Sequence, residues 1–373
     1  MWSLFRIRKH QLHKLLDTYT CRELLLRLMD VTIEYNDIDR FIRSLISQHD
    51  VISPVARDGR FIFERIDEPS LVSPKYDTTL LPPVKWIYPD NEILLEFNLQ
   101  DINRTAVVSQ SHKQVLTFVH PCDINAINIM DDILSEEPSD INYLERRRST
   151  LIIGYECLGP CKENILCFDK GYHIAYRGFD LFFTDIGGRY YVHVATESGS
   201  AIVEESSIFK KAIYSDWTDL MKVRAERKNK FKKSIHGDID MLSHILKESY
   251  NNEIWDIEGR KCVSCGACNI VCPTCYCFDV VDEMCPDMEN GTRYRKWDGC
   301  QLRGFCKIAT GENFRKSAAE RVRHRVFKKE VYLKKRFGRS GCVGCGRCID
   351  YCIADISIID IFNHVIDRAK EHV

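Results

Sequence analysis

The sequence predicts an α+β chain of three successive units. These are a helical head with a β-hairpin over 1–85, a mixed α/β domain over 86–250, and a cysteine-rich C-terminal domain over 251–373. Three observations carry that reading. Apolar residues recur at helical spacing near the start, short β-branched runs alternate with turns in the middle, and two four-cysteine runs of identical spacing stand near the end.

In the head, Leu12, Leu15, Leu16 and then Leu24, Leu25, Leu28 share a helical face, and Ile38, Phe41, Ile42, Leu45, Ile46 follow Asn36 as a cap. Val51–Val55 and Phe61–Ile66 flank Asp58-Gly59, a hairpin turn. This head reads as a packing module with a β-wing, docking to a partner being the alternative. Residues 67–85, rich in proline and polar residues, read as a linker. Strands follow at Ile93–Phe97, Val115–Val119, Leu151–Tyr155, Leu181–Thr184 and Tyr190–Val194, the last two joined by Gly187-Gly188. Ile124–Leu134 reads as a helix, and 207–250 as helix again with a solvated basic face around Lys222–Lys233. Asp131-Asp132 reads as a helix surface and His120 as a structural histidine. There is no G-x-G-x-x-G loop and no Walker loop, hence no case for a flavin or nucleotide site of the chain's own.

Composition limits the options. The chain has 373 residues, 45% of them hydrophobic, enough for two or three cored domains. Its 53 Lys plus Arg nearly balance 54 Asp plus Glu, so global charge names no partner. No apolar run approaches the roughly 18 residues of a membrane span. Met1-Trp2-Ser3-Leu4-Phe5-Arg6 does not open a secretory signal. Cysteines three apart are poor disulfide partners and good metal ligands, so the 18 cysteines point to a reducing cytoplasm, in an anaerobe or microaerophile. Cys21 reads as a small buried hydrophobe.

The two runs are Cys262, Cys265, Cys268, Cys272 and Cys342, Cys345, Cys348, Cys352. Each is C-x2-C-x2-C-x3-C, the spacing with which bacterial ferredoxins hold [4Fe–4S] clusters. Three thiolates of one tight loop meet one cluster, and the fourth cysteine of a run ligates the other. Cluster one is therefore assigned to Cys262, Cys265, Cys268 and Cys352, and cluster two to Cys342, Cys345, Cys348 and Cys272. Gly266, Gly344 and Gly346 let the backbone approach the sulfurs. Cys272 is followed by Pro273, as in ferredoxins, but Cys352 by Ile353, which can shield the cluster from water. Zinc prefers paired C-x2-C halves set far apart. Cys268, Cys272 and Cys275 also spell C-x3-C-x2-C, the spacing of radical enzymes that cleave S-adenosylmethionine, but no barrel-sized segment follows.

Residues 273–341 form an insert between the runs, read as basic and helical, carrying Cys275, Cys277, Cys285, Cys300 and Cys306. From Arg293 to Arg339 it has 16 Lys plus Arg against 4 Asp plus Glu, with Arg321, Arg323, Arg325, Lys328 and Lys329 close together. This charge can offset the anionic clusters, dock an acidic partner such as a ferredoxin, or bind nucleic acid, the last being the weakest option. Phe305, Phe314 and Phe327 read as core positions of a helix.

The stretch Cys262-Val-Ser-Cys265-Gly-Ala-Cys268-Asn-Ile-Val-Cys272-Pro-Thr-Cys275-Tyr-Cys277-Phe resembles the β subunits of archaeal sulfhydrogenases and the A-type iron–sulfur subunits of anaerobic sulfite reductases. Arg293-Tyr-Arg295-Lys-Trp297-Asp298-Gly-Cys300, Asn313-Phe-Arg315, Arg323-His324-Arg325 and Gly341–Cys348 extend the resemblance. So do Pro121-Cys122-Asp123, Asp140–Arg147 and Phe179–Asp185 upstream. It implies a non-catalytic electron-transfer role between two partners. One is a catalytic subunit that handles hydrogen, sulfite or sulfur, and the other a flavin-bearing, NAD(P)H-reacting subunit. The competing class is a stand-alone iron–sulfur enzyme with a substrate site in the central domain. Cys157, Cys161 and Cys167, with Cys122 nearby and with Cys275, Cys277 or Cys300, form a candidate third metal site. The family shape there is Cys-Phe-Cys, whereas this chain has Cys167-Phe168-Asp169. Aspartate can replace a thiolate as ligand; the alternative is a set of buried, idle thiols.

Overall fold

A computed structural model describes residues 29–101, 106–107 and 113–371. The leucine pattern of 12–28 and Cys21 lie outside the described residues.

The chain opens with β1 (Val31–Glu34), α1 (Ile38–Ile46), and the hairpin β2 (Asp50–Arg57) and β3 (Arg60–Arg65). Helix α1 forms because Phe41, Ile42 and Leu45 recur on one face, and all three are buried. The cap is Asp37 rather than Asn36, without a side-chain cap bond. Asp58 (φ 47°) and Gly59 (φ 74°) both sit at positive φ, as a tight two-residue hairpin requires.

After β4 (Asn91–Asn98) and β5 (Ala106–Val107) come β6 (Gln114–Val119), α2 (Pro121–Leu134), α3 (Ile141–Arg148), β7 (Thr150–Tyr155), β8 (Leu181–Asp185) and β9 (Arg189–Val194). Next are α4 (Glu197–Glu204), β10 (Lys210–Lys211) and α5 (Tyr214–Lys230). One eight-stranded sheet runs in the order β10-β1-β9-β8-β7-β6-β2-β3. Pairs β2/β6, β6/β7 and β7/β8 are parallel and the others antiparallel.

This sheet corrects the expected division at 85/86. The hairpin is no separate wing, because Asp50–Ile52 pairs in parallel with Gln114–Leu116, which makes β2 and β3 one edge of the eight-stranded sheet. Nor is 67–85 a free linker. Tyr76 and Val84 are buried, and the Tyr76 hydroxyl donates to the Phe118 carbonyl at 2.9 Å. His120 is buried and stacked on Tyr76 at 3.9 Å; desolvation pulls its pKa down to about 4, so it is a neutral packing group. Asp131 is held by Tyr143 and Arg147, and Asp132 by Arg339, which makes the acid pair a tether.

The C-terminal unit comprises α6 (Leu242–Glu248), α7 (Ile254–Lys261), α8 (Ala267–Ile270), β11 (Phe278–Met284), β12 (Asn290–Trp297), α9 (Ala318–Phe327), a π-helical turn (Lys328–Tyr332), α10 (Leu333–Phe337), α11 (Arg347–Asp350) and α12 (Ile358–Glu371). Trp255, Val326, Phe327, Phe362 and Val365 form its core. The insert is thus only half helical. Its first part is a hairpin that joins β4 and β5 in a second sheet, ordered β11-β12-β4-β5. Phe327 is a core residue as expected, but Phe314 is exposed.

Arg295 ties this hairpin to the α/β domain. It is 5% exposed and pairs with the equally buried Glu92 and with Asp140. Arg295→Met strips Asp140 of this partner and leaves Glu92 to Arg146 alone, and the expected loss is about 3–5 kcal/mol. Chemical denaturation of the variant measures it.

Candidate metal centres

The two cysteine runs fold as a repeated unit. In the first, Cys262 ends α7, and a loop with Ser264 (φ 59°) and Gly266 (φ 79°) leads into the short helix α8 that carries Cys268. In the second, Gly344 (φ 70°) and Gly346 (φ 76°) lead into α11, which carries Cys348. The turns match: Asn269 N–H donates to the Gly266 carbonyl at 2.8 Å, and Ile349 N–H to the Gly346 carbonyl at 2.9 Å.

Two neighbouring cavities result. One is lined by Cys342, Cys345, Cys348 and Cys272; the other by Cys262, Cys265, Cys268 and Cys352, with Cys348 at the shared edge. The fourth cysteine of each run thus stands among the first three of the other. The Ile356 N–H points at the Cys352 sulfur at 3.3 Å, a donor suited to a thiolate.

Burial pushes the Cys342 and Cys268 thiols up to about 12 and Cys345 to about 11. Cys272 goes the other way. The Cys275 thiol hydrogen-bonds to it, and Lys329 and Arg325 add positive charge, so Cys272 is lowered and Cys275 raised. Cys275 is therefore a donor to a neighbouring thiolate.

The basic insert turns its charge inward. Lys329 is buried, and its ammonium donates to the Thr274 carbonyl and hydroxyl, both at 2.7 Å. Arg325 lines both cavities, donates to the Cys268 carbonyl at 3.1 Å, and has a buried Nε with no partner. Arg321 donates to the Ser264 hydroxyl at 2.8 Å. None of these hydrogen bonds goes to a carboxylate. Cations so placed suit an anionic occupant of the cavities, which is what a cluster with four thiolates is. The charge count pointed to these residues; Thr274 and Asn269 gave no signal in sequence.

Ile353 lines its cavity but is itself 75% exposed, at a rim shared with the exposed Cys265 and Val263, rather than buried over the site.

The seven further cysteines expected in one extra site separate into two groups. Cys122, Cys157, Cys161 and Cys167 gather with Cys345 at the junction of the α/β domain and the second cavity. Cys275 and Cys300 lie elsewhere, on the buried amide of Asn269 at 3.7 and 3.5 Å. The Lys328 ammonium is 3.9 Å from the Cys277 sulfur. Gly299 is obligatory there, since a Cβ would come within 2.6 Å of the Asn269 oxygen.

Two outcomes are expected. A Cβ at Gly344 would overlap the backbone of Leu166 and Cys167, so Gly344→Ala loses about 1–3 kcal/mol and depletes iron. Ser264→Gly, at the equivalent site, relieves the left-handed backbone but loses the acceptor of Arg321, for a net loss of about 1–2 kcal/mol with iron retained, and thermal melts with iron assay compare the two. Second, Cys268 and Cys342 move from an ordinary 9.0 to about 12 on folding. The folded metal-free chain keeps protons that the unfolded chain sheds, so this contribution is complete below pH 9.0 and lost as pH rises toward about 12. Iron loading needs thiolates, so the same rise in pH favours it. Unfolding and reconstitution at graded pH test both signs.

Residues 261–356 match the family described as a 4Fe-4S dicluster domain. Sulfhydrogenase 2 subunit beta of Pyrococcus furiosus is 32% identical over 316 residues, covering 84% of this chain and 92% of that protein. No solved structure matches. Among the described residues no helix is long and apolar enough to cross a membrane. With crossed cysteine sets around paired cavities, a dicluster domain and that extent of identity, the chain belongs to the sulfhydrogenase β-subunit family.

Proposed function

We propose that the chain is an iron–sulfur electron-transfer subunit of a cytoplasmic oxidoreductase complex. Its partners are a catalytic subunit handling hydrogen, sulfite or sulfur and a flavin-bearing, NAD(P)H-reacting subunit. The observation that carries the reading is the pair of adjoining cavities, each lined by three cysteines of one run and the last of the other. Cys262, Cys265, Cys268 and Cys352 would hold one [4Fe–4S] cluster, and Cys342, Cys345, Cys348 and Cys272 the other. When bound, such clusters supply one-electron redox chemistry, which can join a two-electron flavin to a one-electron acceptor.

The chain's own residues do the positioning. Arg325 and Lys329 offset negative charge at the cavities, which favours the reduced state. The Ile356 N–H at Cys352 acts in the same sense. The exposed rim of Val263 and Ile353 beside Cys265 suits close approach of a redox partner.

Two experiments test the proposal. Cys272→Ser should disturb the same spectroscopic signal as Cys345→Ser and leave the one disturbed by Cys265→Ser; the opposite pairing sinks the crossed ligation. The native complex, purified anaerobically, should contain a flavoprotein and a second redox subunit. Omitting this chain on reassembly should abolish NAD(P)H-driven turnover while each partner still reacts with a dye. Substrate turnover by the chain alone with a dye would point to a stand-alone enzyme instead.

A further inference from the structure

We propose that Cys122, Cys157, Cys161 and Cys167 hold a third iron–sulfur cluster inside the α/β domain, sharing a wall with the second ferredoxin-type cavity. Its redox role rests on the relay reading above; the metal site does not.

The topology brings these four together. Parallel strands β6 and β7 lie side by side and end at the same edge of the sheet. Crevices at the carboxyl ends of parallel strands are where open α/β sheets bind ligands. Cys122 follows β6 in the first turn of α2. Cys157 lies just beyond β7. The loop from β7 to β8 folds back over this edge and delivers Cys161 and Cys167.

The four side chains belong to one packed cluster, all as free cysteines. Cys167 neighbours Cys122, Cys157 and Cys161, and Cys157 neighbours Cys161, closely enough for each thiol to feel the next. Ile129, Ile165 and Val343 wall the group, and Phe168 stacks on Phe231 at 5.2 Å beside it.

The geometry also settles which residues belong. Asp169 is occupied: its carboxylate accepts from the Ser234 N–H at 3.2 Å and the Ile235 N–H at 3.3 Å. Cys122, a remote residue delivered by the sheet, supplies the fourth sulfur. Cys275 and Cys300 are held on Asn269, away from this group. Four thiolates from C-x3-C-x5-C plus a remote cysteine lack the paired C-x2-C halves of a structural zinc site.

The site adjoins the second cavity. Leu166 N–H donates to the Gly344 carbonyl at 2.8 Å, and Cys345 packs in the same buried cluster as Cys122 and Cys167. The first cavity meets the second at Cys348, and the second adjoins this group through Leu166 and Cys345.

Iron and zinc analysis of the full-length chain, reconstituted anaerobically, tests the proposal together with EPR of the reduced protein. The expected result is about twelve irons per chain. Cys161→Ser, at a partly exposed position, and Cys167→Ser should each fall to about eight irons and lose one signal, keeping the two signals that depend on Cys265 and Cys345. Cys300→Ser should stay at about twelve. About eight irons in the unaltered chain, unchanged in Cys161→Ser, overturns the third cluster and leaves the relay standing. One zinc at these cysteines overturns it equally. About four irons or fewer would instead undo the two-cavity reading itself. Thermal melts of the metal-free Cys161→Ser and metal-free unaltered chains, expected to coincide, separate loss of metal from loss of fold.

Discussion

A protein interior does not tolerate an unmatched anion, and this chain gathers at its centre cysteines that must become thiolates to hold a cluster. Much of the structure answers that one constraint. Arg325 and Lys329 bring charge to the cavity walls, with hydrogen bonds only to backbone and hydroxyl oxygens. Cations so placed need a rigid carrier. The helical run from α9 through the π turn supplies it, and the neighbouring Glu330 is matched by Lys170 at 2.8 Å. Asp123, next to Cys122, is matched in turn by Arg347, which is fully buried and donates to it at 2.7 and 2.8 Å. Both carboxylates, Glu330 and Asp123, are thereby matched, and the cations at the cavity walls are left to face the sulfurs.

What could be read in the sequence was local. The C-x2-C-x2-C-x3-C spacing holds its meaning because the loop that carries three cysteines is short and covalently bounded. Asp58-Gly59 and Gly187-Gly188 marked real turns because positive φ is a property of single residues. The crossed lining of the two cavities was legible for the same reason, since the short helix after each loop aims Cys272 and Cys352 away from their own runs.

What escaped the sequence was pairing at long range. Nothing in Val51–Val55 says that this strand lies beside Gln114–Leu116 rather than on a separate wing. Nothing in Arg293–Trp297 names β4, far earlier in the chain, as its neighbour. The cysteines outside the two runs were visible, but their grouping depends on the sheet edge and on Asn269, so a single pooled site was the natural error. Ile353 misled for a simpler reason: an apolar residue beside a ligand was expected to be buried, and it is on the rim.

The interleaving of the two runs also bears on how the protein is made. Each cavity draws on the stretch from Cys342 to Cys352, near the end of the chain. While the ribosome is still translating the insert, Cys262, Cys265 and Cys268 have no fourth wall and Cys272 has no companions. Neither cavity can close until the stretch through Cys352 has emerged. Cofactor insertion thus waits for the second run, and a premature stop only a few codons before Cys342 would leave both cavities open at once.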